Sequence, residues 1–591
     1  MHSRTDDIPA VKFKAHQQWK TYTWKEYYGQ IEQVALGLLE LHVQPAERVA
    51  IFANTKVEWC ECDWAILGIG AITVPIYQTM TPEDLEFVLN NCEARILILE
   101  NRSTLKVFNQ VKDRCPFVKK VIMMDGETAP EHVTLLHDLK KSGTARKKRK
   151  QGTPQAEEFL NLCQKANVDD PATILYTSGT TGLPKGVVLA HRQGISEISE
   201  CFTYVGAHVE DISLTFLPYA HILGRIEHWG AAYIGYTLAF AESIDRIRAN
   251  LLEIQPTIMV AVPRIFEKVY SAIWAQVESN FASNKIFRWA LAIGLKVADY
   301  KMKREPIPLA LFAQYQLAKR LALQNVTNAF GGKLRFAISG GAPMPRDIAN
   351  FFHACDILIL EGYGLTETTA AITVNAPFDY RFGCVGKPVG DVQLKIAEDG
   401  EILVRSDKVM KEYYKNEDAT KQAIIDGWFY TGDIGEILPS GDLKITDRKK
   451  DLIKTAGGKY VAPQRLEGLL KSNSFISNVL IHGDQRKYIV ALLTLDKPTI
   501  LNFAKDKGLT YSDYAALVQH PQVLEMVRKG VAETNKHLAS FETIKRFAVL
   551  PEDFTVESGE LTPSLKVKRK VLDQKYKREI EALYTGSKAG D

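Results

Sequence analysis

Between Thr177 and Gly186 the chain reads TSGTTGLPKG. Four hydroxyl side chains (Thr177, Ser178, Thr180, Thr181), three glycines (Gly179, Gly182, Gly186) and one lysine (Lys185) share ten positions. Glycine admits positive φ and lets the backbone approach a ligand closely. Hydroxyls and loop N–H groups donate hydrogen bonds, and Lys185 adds a mobile positive charge. Such a set suits a polyphosphate. It is not a Walker A loop, which needs G-x-x-x-x-G-K-[ST] followed by a helix. Here Lys185 precedes Gly186, and the apolar runs on either side, TILYTS (173–178) and VVLA (187–190), read as strands. The phosphates are expected on a strand–loop–strand, away from any helix N-terminus.

This loop closely resembles the signature loop of the adenylate-forming enzymes, which include the acyl-CoA synthetases, luciferases and peptide-synthetase adenylation domains. The resemblance continues in the family's order through LPYAH (217–221), ISGGAPMP (338–345), EGYGLTET (361–368), GWFYTGDIG (427–435), DRKKDLIKTAGGKYVAPQRLE (447–467) and LTPSLKVKRK (561–570). It implies roles for particular residues. Tyr363, flanked by Gly362 and Gly364 and preceded by Glu361, is the platform on which the family stacks adenine. Gly340, Gly341 and Ala342 are small enough for backbone groups to reach the adenine edge. Asp433 accepts hydrogen bonds from the ribose hydroxyls, and Arg448 contacts sugar and phosphate. Thr366 and Glu367 follow the aromatic platform, and Glu367 is assigned to Mg²⁺, an ion that takes few protein ligands among phosphate oxygens; Thr177 is placed with it, and Thr181 is counted with the catalytic groups. His221 lies where carboxylate, α-phosphate and thiol meet. Lys566 supplies the cation that bridges the substrate carboxylate and the α-phosphate. Leu565 stands where the family commonly has glycine before that lysine, as long-chain acyl-CoA synthetases often do, and Lys568 is the fallback. No cysteine is needed as a nucleophile.

The elements that must position these groups are legible too. RVAIFAN (48–54), RILILE (95–100) and KKVIMMD (119–125) are short apolar runs, separated in part by helix-period stretches such as YYGQIEQVALGLLELH (27–42). This alternation predicts an α/β fold with mainly parallel sheets covered by helices. Residues 264–328 read instead as an α-rich insertion. From about residue 447 the elements shorten and charge density rises. The expected organisation is a large N-terminal AMP-binding domain, 1–447, and a smaller α+β C-terminal domain, 448–591. The resemblance adds that the smaller domain rotates between two half-reactions, with Lys450 at the hinge and Lys454 reaching the adenylate or thioester in the rotated state.

Composition is that of a globular protein. The 74 Lys and Arg against 70 Asp and Glu leave a formal net charge of +4, which gives no reason to expect a nucleic acid. No protein partner is called for. No run of about 18 apolar residues suggests a transmembrane helix, MHSRTDD lacks a signal-peptide core, and eight scattered cysteines fit reduced thiols in the cytoplasm. Cys60 and Cys62 form a lone C-x-C with no second pair. The basic run RKKRK (146–150) reads as a solvated loop, with peripheral contact to anionic lipid as the alternative.

The expected reaction is activation of a long-chain fatty acid by ATP, then transfer to coenzyme A, releasing AMP and pyrophosphate. A medium-chain or aromatic-acid CoA ligase and a fatty acyl-AMP ligase are the alternatives. The α-rich insertion and VPRIFEKVY (262–270) favour a long chain. The apolar stretch 221–240 is read as a helix lining the acyl tunnel, with ordinary packing for Trp229 preferred over a gate.

Overall fold

The computed structural model describes residues 8–128, 130–153, 156–177, 184–278, 281–555, 558–562 and 567–585. The apolar runs singled out above become strands Arg48–Phe52, Ile96–Leu99 and Lys120–Met123. They sit in an eight-stranded sheet ordered Glu412–Tyr413, Lys185–Ala190, Pro171–Thr177, Ile72–Ile76, Arg48–Phe52, Ile96–Leu99, Lys120–Met123, Val133–Leu135. Its pairs are parallel apart from the antiparallel contacts that Lys185–Ala190 makes on both sides. Central strands such as Ile72–Ile76 are buried along their whole length. Helices cover both faces, so these strands read as continuous apolar runs rather than alternating ones.

A nine-stranded sheet follows the same logic. Ile212–Thr215, Thr237–Phe240, Ile258–Ala261, Phe336–Ser339 and Ile359–Leu365 are joined in parallel, and antiparallel strands close its edges. A third sheet of five strands is built around the long strand Trp428–Ile437 and its partner Leu443–Arg448. Beyond it, apolar side chains from residues 453–580 form clusters of their own around Ile476–His482, Ile489–Leu495 and Ile544–Val549. The molecule is α/β, with a large N-terminal domain and a smaller C-terminal one.

The α-rich insertion is present as Pro263–Glu278, Phe281–Lys303, Leu309–Ala318, a π-helical segment Lys319–Leu323 and Gln324–Ala329. Two expectations are corrected. The basic run 146–150 is no loop. It ends the helix Leu136–Lys150, and Arg146, Lys147, Arg149 and Lys150 pair with Glu32, Glu40 and Glu158. Cations at a helix C-terminus oppose the helix dipole favourably, and acids distant in sequence complete the arrangement. The helix expected over 221–240 stops at Ile234. Gly235 follows with φ 101°, the left-handed cap that ends helices, and Thr237–Phe240 is a strand. Among the described residues no helix is long and apolar enough to cross a membrane.

Candidate functional site

A cleft of about 2870 Å³ lies at the carboxyl ends of the parallel strands of both large sheets. Its wall is built from the residues that leave those strands: Asn54, Tyr77 and Glu100 in one sheet; Phe216, Val262 and Gly340 in the other. Open α/β sheets bind ligands at this position because backbones diverge there and loops are free to specialise.

Of the expected site residues, Thr177, Lys185, His221, Gly340, Gly341, Ala342, Glu361, Gly362, Tyr363, Gly364, Thr366, Glu367, Asp433, Arg448 and Lys450 all line this cleft, as does Lys568. Ser178, Gly179, Thr180, Thr181, Gly182 and Lys566 lie outside the described residues. The strands flanking the loop are as expected: Pro171–Thr177 and Lys185–Ala190 pair antiparallel, with Thr177 opposite Lys185. Lys454 is exposed, its ammonium 5.6 Å from the ring of exposed Tyr460; its neighbour Ile453, on the same short hairpin, lines the cleft, whereas Lys454 does not.

The polar groups interlock. Asp433 and Arg448 are directly opposite on neighbouring antiparallel strands. Arg448 Nε lies 3.1 Å from Asp433 Oδ1, and the Tyr363 hydroxyl donates to Asp433 Oδ2 at 2.7 Å. The Tyr363 ring packs in a cluster with Ile372, Val392 and Ile402. Burial alone would weaken the Arg448 charge, but Asp433 and Asp451 outweigh it and hold the guanidinium more firmly protonated. Glycine is obligatory at 364, where an added Cβ would fall 1.3 Å from the Ala370 carbonyl oxygen, and Gly341 has φ 80°.

Glu367 sits in a single 3-10 turn, Thr366–Thr368. Thr369 and Ala370 then take φ 54° and 80°, unfavourable for L side chains by about 1 kcal/mol or more each. That tight reversal lets Ala370–Val374 pair back on Ile359–Leu365, leaving Glu367 at the tip. Its carboxylate accepts a 2.8 Å hydrogen bond from the Tyr413 hydroxyl, and its carbonyl accepts one from the Met410 N–H at 2.7 Å. The Lys185 ammonium lies 4.9 Å from the Tyr413 ring. Tyr413, which sequence reading passed over, thus touches both the lysine of the Gly-Ser-Thr loop and the candidate metal ligand. Its strand, Glu412–Tyr413, hydrogen-bonds to Lys185–Ala190, a pairing across more than 200 residues that no local pattern signals. One carboxylate with hydroxyl oxygens nearby fits Mg²⁺ carried on phosphates. Among the described residues no cluster of three or more His, Cys, Asp or Glu could hold a metal without such help.

Glu361 is deeply buried and accepts from the backbone N–H groups of Gly383 (3.2 Å) and Met344 (3.4 Å). Burial pushes its carboxyl up to about 7, with those two donors acting the other way.

His221 caps the helix Ile222–Ile234, its Nδ1 accepting from the Leu223 N–H at 3.2 Å. One turn on, Arg225 is fully buried. It reaches Asp63 through Nη2 (2.5 Å) and Nε (3.3 Å) and donates through Nη1 to Thr173 (2.6 Å). Asp63 belongs to the helix Val57–Gly68, and Thr173 to the strand that leads into the Gly-Ser-Thr loop. Burial opposes the Asp63 charge, yet Arg225 and His228 hold its carboxyl down at about 2. This ion pair ties the His221 helix to the base of the loop. Its sequence signal was an arginine, close to Glu227 and His228, in a helix whose other residues are apolar or small. Trp229 donates to Asp63 at 3.0 Å and does not line the cleft, so it packs rather than gates.

An apolar wall faces the polar set: Phe202, Val205, Phe216, Ile222, Leu223, Ile226 and Phe240 line the same cleft.

Residues 2–414 match the family described as AMP-binding enzyme, and residues 450–588 its C-terminal domain. The chain belongs to the AMP-binding enzyme family. Among relatives of this AMP-binding enzyme, the long-chain-fatty-acid--CoA ligase FadD15 of Mycobacterium bovis is 37% identical over 96% of this chain and 92% of its own. Long-chain-fatty-acid--CoA ligase 5 of Rattus norvegicus is 28% identical over 98% of this chain and 86% of its own. In fold, the AMP-binding enzyme resembles the anthranilate CoA ligase AuaEII in complex with anthranoyl-AMP. That match has TM-score 0.72 and 20% identity, covering 98% of this chain and 95% of that one. It also resembles a Mycobacterium tuberculosis fatty acyl CoA synthetase, with TM-score 0.60 and 21% identity, covering 97% and 96%.

Proposed function

We propose that this chain is an AMP-forming long-chain fatty acid–CoA ligase. The observation that carries the reading is that an interlocked polar set, Tyr363–Asp433–Arg448 with Glu367–Tyr413–Lys185, and an apolar wall around Ile222, Leu223 and Phe240 line one cleft. Nucleotide and acyl chain need opposite surroundings within bonding distance of each other, and each methylene buried on the apolar wall contributes about 0.8 kcal/mol.

In the first half-reaction an oxygen of the fatty acid carboxylate attacks the α-phosphorus of ATP, and pyrophosphate leaves. In the second, the coenzyme A thiol attacks the acyl carbon, and AMP leaves. Tyr363 with Gly340, Gly341 and Ala342 holds adenine, Asp433 the ribose hydroxyls, and Arg448 sugar and phosphate. The stretch Thr177–Gly182 with Lys185 takes the leaving phosphates. Mg²⁺ neutralises phosphate charge when bound, and Glu367 with the Thr177 hydroxyl would hold it. Lys566 brings positive charge to the α-phosphate as negative charge builds there, and His221 stands at the junction of carboxylate and phosphate.

The two steps cannot use one arrangement of the cleft, because a lysine reaching the α-phosphate blocks the path of the thiol. A domain boundary at 447/448 with a hinge at Lys450 resolves the conflict. It is supported by the separate apolar clusters on either side of it and by the exposed position of Lys450 in the turn after Leu443–Arg448. Lys454, which does not line the cleft in this arrangement, enters it after rotation.

A panel of fatty acids of graded length, with ATP, Mg²⁺ and coenzyme A, tests the reading by pyrophosphate and acyl-CoA release. Long acids are expected to give both products in equal amounts. Release of ADP and phosphate would end the proposal. Acyl-AMP that accumulates regardless of coenzyme A would favour the acyl-AMP ligase.

A further inference from the structure

A fully buried lysine has no part in the reaction yet grips the turn that carries Glu367. Lys408, in the turn after the strand Glu401–Arg405, has no solvent exposure and does not line the cleft. Its ammonium lies 3.1 Å from Oε2 of Glu197, itself fully buried, 3.2 Å from the partly exposed Glu200 and 3.2 Å from the Cys201 sulfur. Burial opposes its charge, but Glu197 leads the groups that outweigh burial and hold the ammonium more firmly protonated. Attraction between buried ions is largely offset by the cost of taking them out of water, so such a pair is a weak source of net stability. What this pair supplies is placement.

Both backbone groups of Ala371 are held by it. Glu197 accepts from the Ala371 N–H at 3.0 Å, and Lys408 donates to the Ala371 carbonyl at 3.3 Å. The Lys408 carbonyl accepts from the Thr369 hydroxyl at 2.7 Å, and two residues on, the Met410 N–H donates to the Glu367 carbonyl. Thr369 and Ala370, between these anchors, have the positive φ values that disfavour L side chains. Such backbone persists only where its surroundings over-determine it. The shape of this turn therefore depends on what holds Glu367 at one end and Ala371 at the other. Tyr413 reaches the Glu367 carboxylate from the same stretch of chain as Lys408. Glu197 and Cys201 belong to the helix His191–Tyr204, which follows the strand that begins at Lys185. We propose that Lys408, braced by Glu197, is a positioning residue for Glu367, fixing the turn 367–371 so that the carboxylate meets the Mg²⁺ carried on the triphosphate. The proposal rests on the reading of Glu367 as the ligand of that ion. The second half-reaction begins after pyrophosphate has left, so a misplaced Glu367 penalises the first.

The test compares wild type with Lys408→Met, Glu197→Gln and the double variant. The double variant removes both charges, sparing the fold the unpaired Glu197 that Lys408→Met alone leaves, and it keeps an acceptor for the Ala371 N–H. Lys408→Met and the double variant are expected to raise the Mg²⁺ concentration for half-maximal pyrophosphate release by about tenfold or more. Conversion of supplied acyl-adenylate to thioester should stay within about twofold of wild type. Without substrates, hydrogen exchange across residues 366–374 should quicken by about threefold or more in the same two variants, the loss of one hydrogen bond. Glu197→Gln, which leaves Lys408 paired with Glu200, should change the Mg²⁺ requirement by less than about threefold. The proposal is overturned if the double variant keeps the wild-type Mg²⁺ requirement or wild-type exchange, or if both half-reactions slow by the same factor. Should Lys408→Met fail to fold, the double variant decides by itself. Absence of Mg²⁺-dependent pyrophosphate release from wild type with every acid would count against the proposed function. Exchange would then decide the brace, and unchanged exchange in the double variant would overturn it.

Discussion

Two groups of polar residues at or beside the cleft are held in opposite ways. Tyr363, Asp433, Arg448, Glu367 and Tyr413 sit on paired strands or the tight turn between them, each bonded to at least one of the others. Lys450 and Lys454, a few residues beyond the last of those strands, are exposed. The difference matches the roles proposed for the two groups. Binding the nucleotide serves both half-reactions, so fixed geometry costs nothing and spares reorganisation. Groups that serve one step only must leave for the other, and a locked network would trap them.

The largest effect expected from breaking this contrast is at Lys566. Changing it to Ala should slow adenylation by about 10² to 10³-fold while leaving conversion of supplied acyl-adenylate to thioester nearly intact. Rapid-quench measurement of the separate half-reactions checks this, and equal loss in both would contradict a step-specific lysine.

The next effect concerns Glu361, on the same strand as Tyr363 of the fixed group. The Glu361 carboxyl is raised from the ordinary 4.5 to about 7, so the folded protein binds its proton more tightly than the unfolded chain does. The stability this contributes is complete below pH 4.5 and lost as pH rises through 7. Glutamine does not titrate. The stability difference between Glu361→Gln and wild type should therefore move toward the variant by up to about 3 kcal/mol between those limits. Denaturation curves at both ends of the range measure it, and a pH-independent difference would refute the assignment.

Tyr413→Phe keeps the ring beside Lys185 and removes the hydrogen bond to Glu367. A drop of about tenfold in kcat, about 1.4 kcal/mol, is expected in adenylation, with a raised Mg²⁺ requirement. An unchanged Mg²⁺ dependence would reduce Tyr413 to packing. The smallest effect belongs to Arg264, which bonds Ser477 of the C-terminal domain through the carbonyl (3.3 Å) and hydroxyl (3.1 Å). Arg264→Ala removes both bonds and should change the ratio of the two half-reaction rates by about fivefold or less, roughly 1 kcal/mol for the long, part-buried pair. A change in both rates by the same factor would argue against a role in domain position.

Much of this site was legible from short motifs, because glycines, aromatics and carboxylates at fixed spacing demand particular backbone shapes. Gly364 shows why: no other residue fits against Ala370. The strands flanking the Gly-Ser-Thr loop were legible for the same local reason. What stayed hidden depends on partners far away in the chain. Tyr413 acquires its role by pairing with the strand Lys185–Ala190, and Arg225 by meeting Asp63 across 162 residues. The run 146–150 was misread because nothing nearby reveals that Glu32 and Glu40 wait on another helix.

The capping bond of His221 limits its chemistry. Its Nδ1 lone pair is spent on the Leu223 amide, so the neutral imidazole keeps its proton on Nε2. While that bond holds, Nδ1 is not the atom that receives the hydrogen of the coenzyme A thiol.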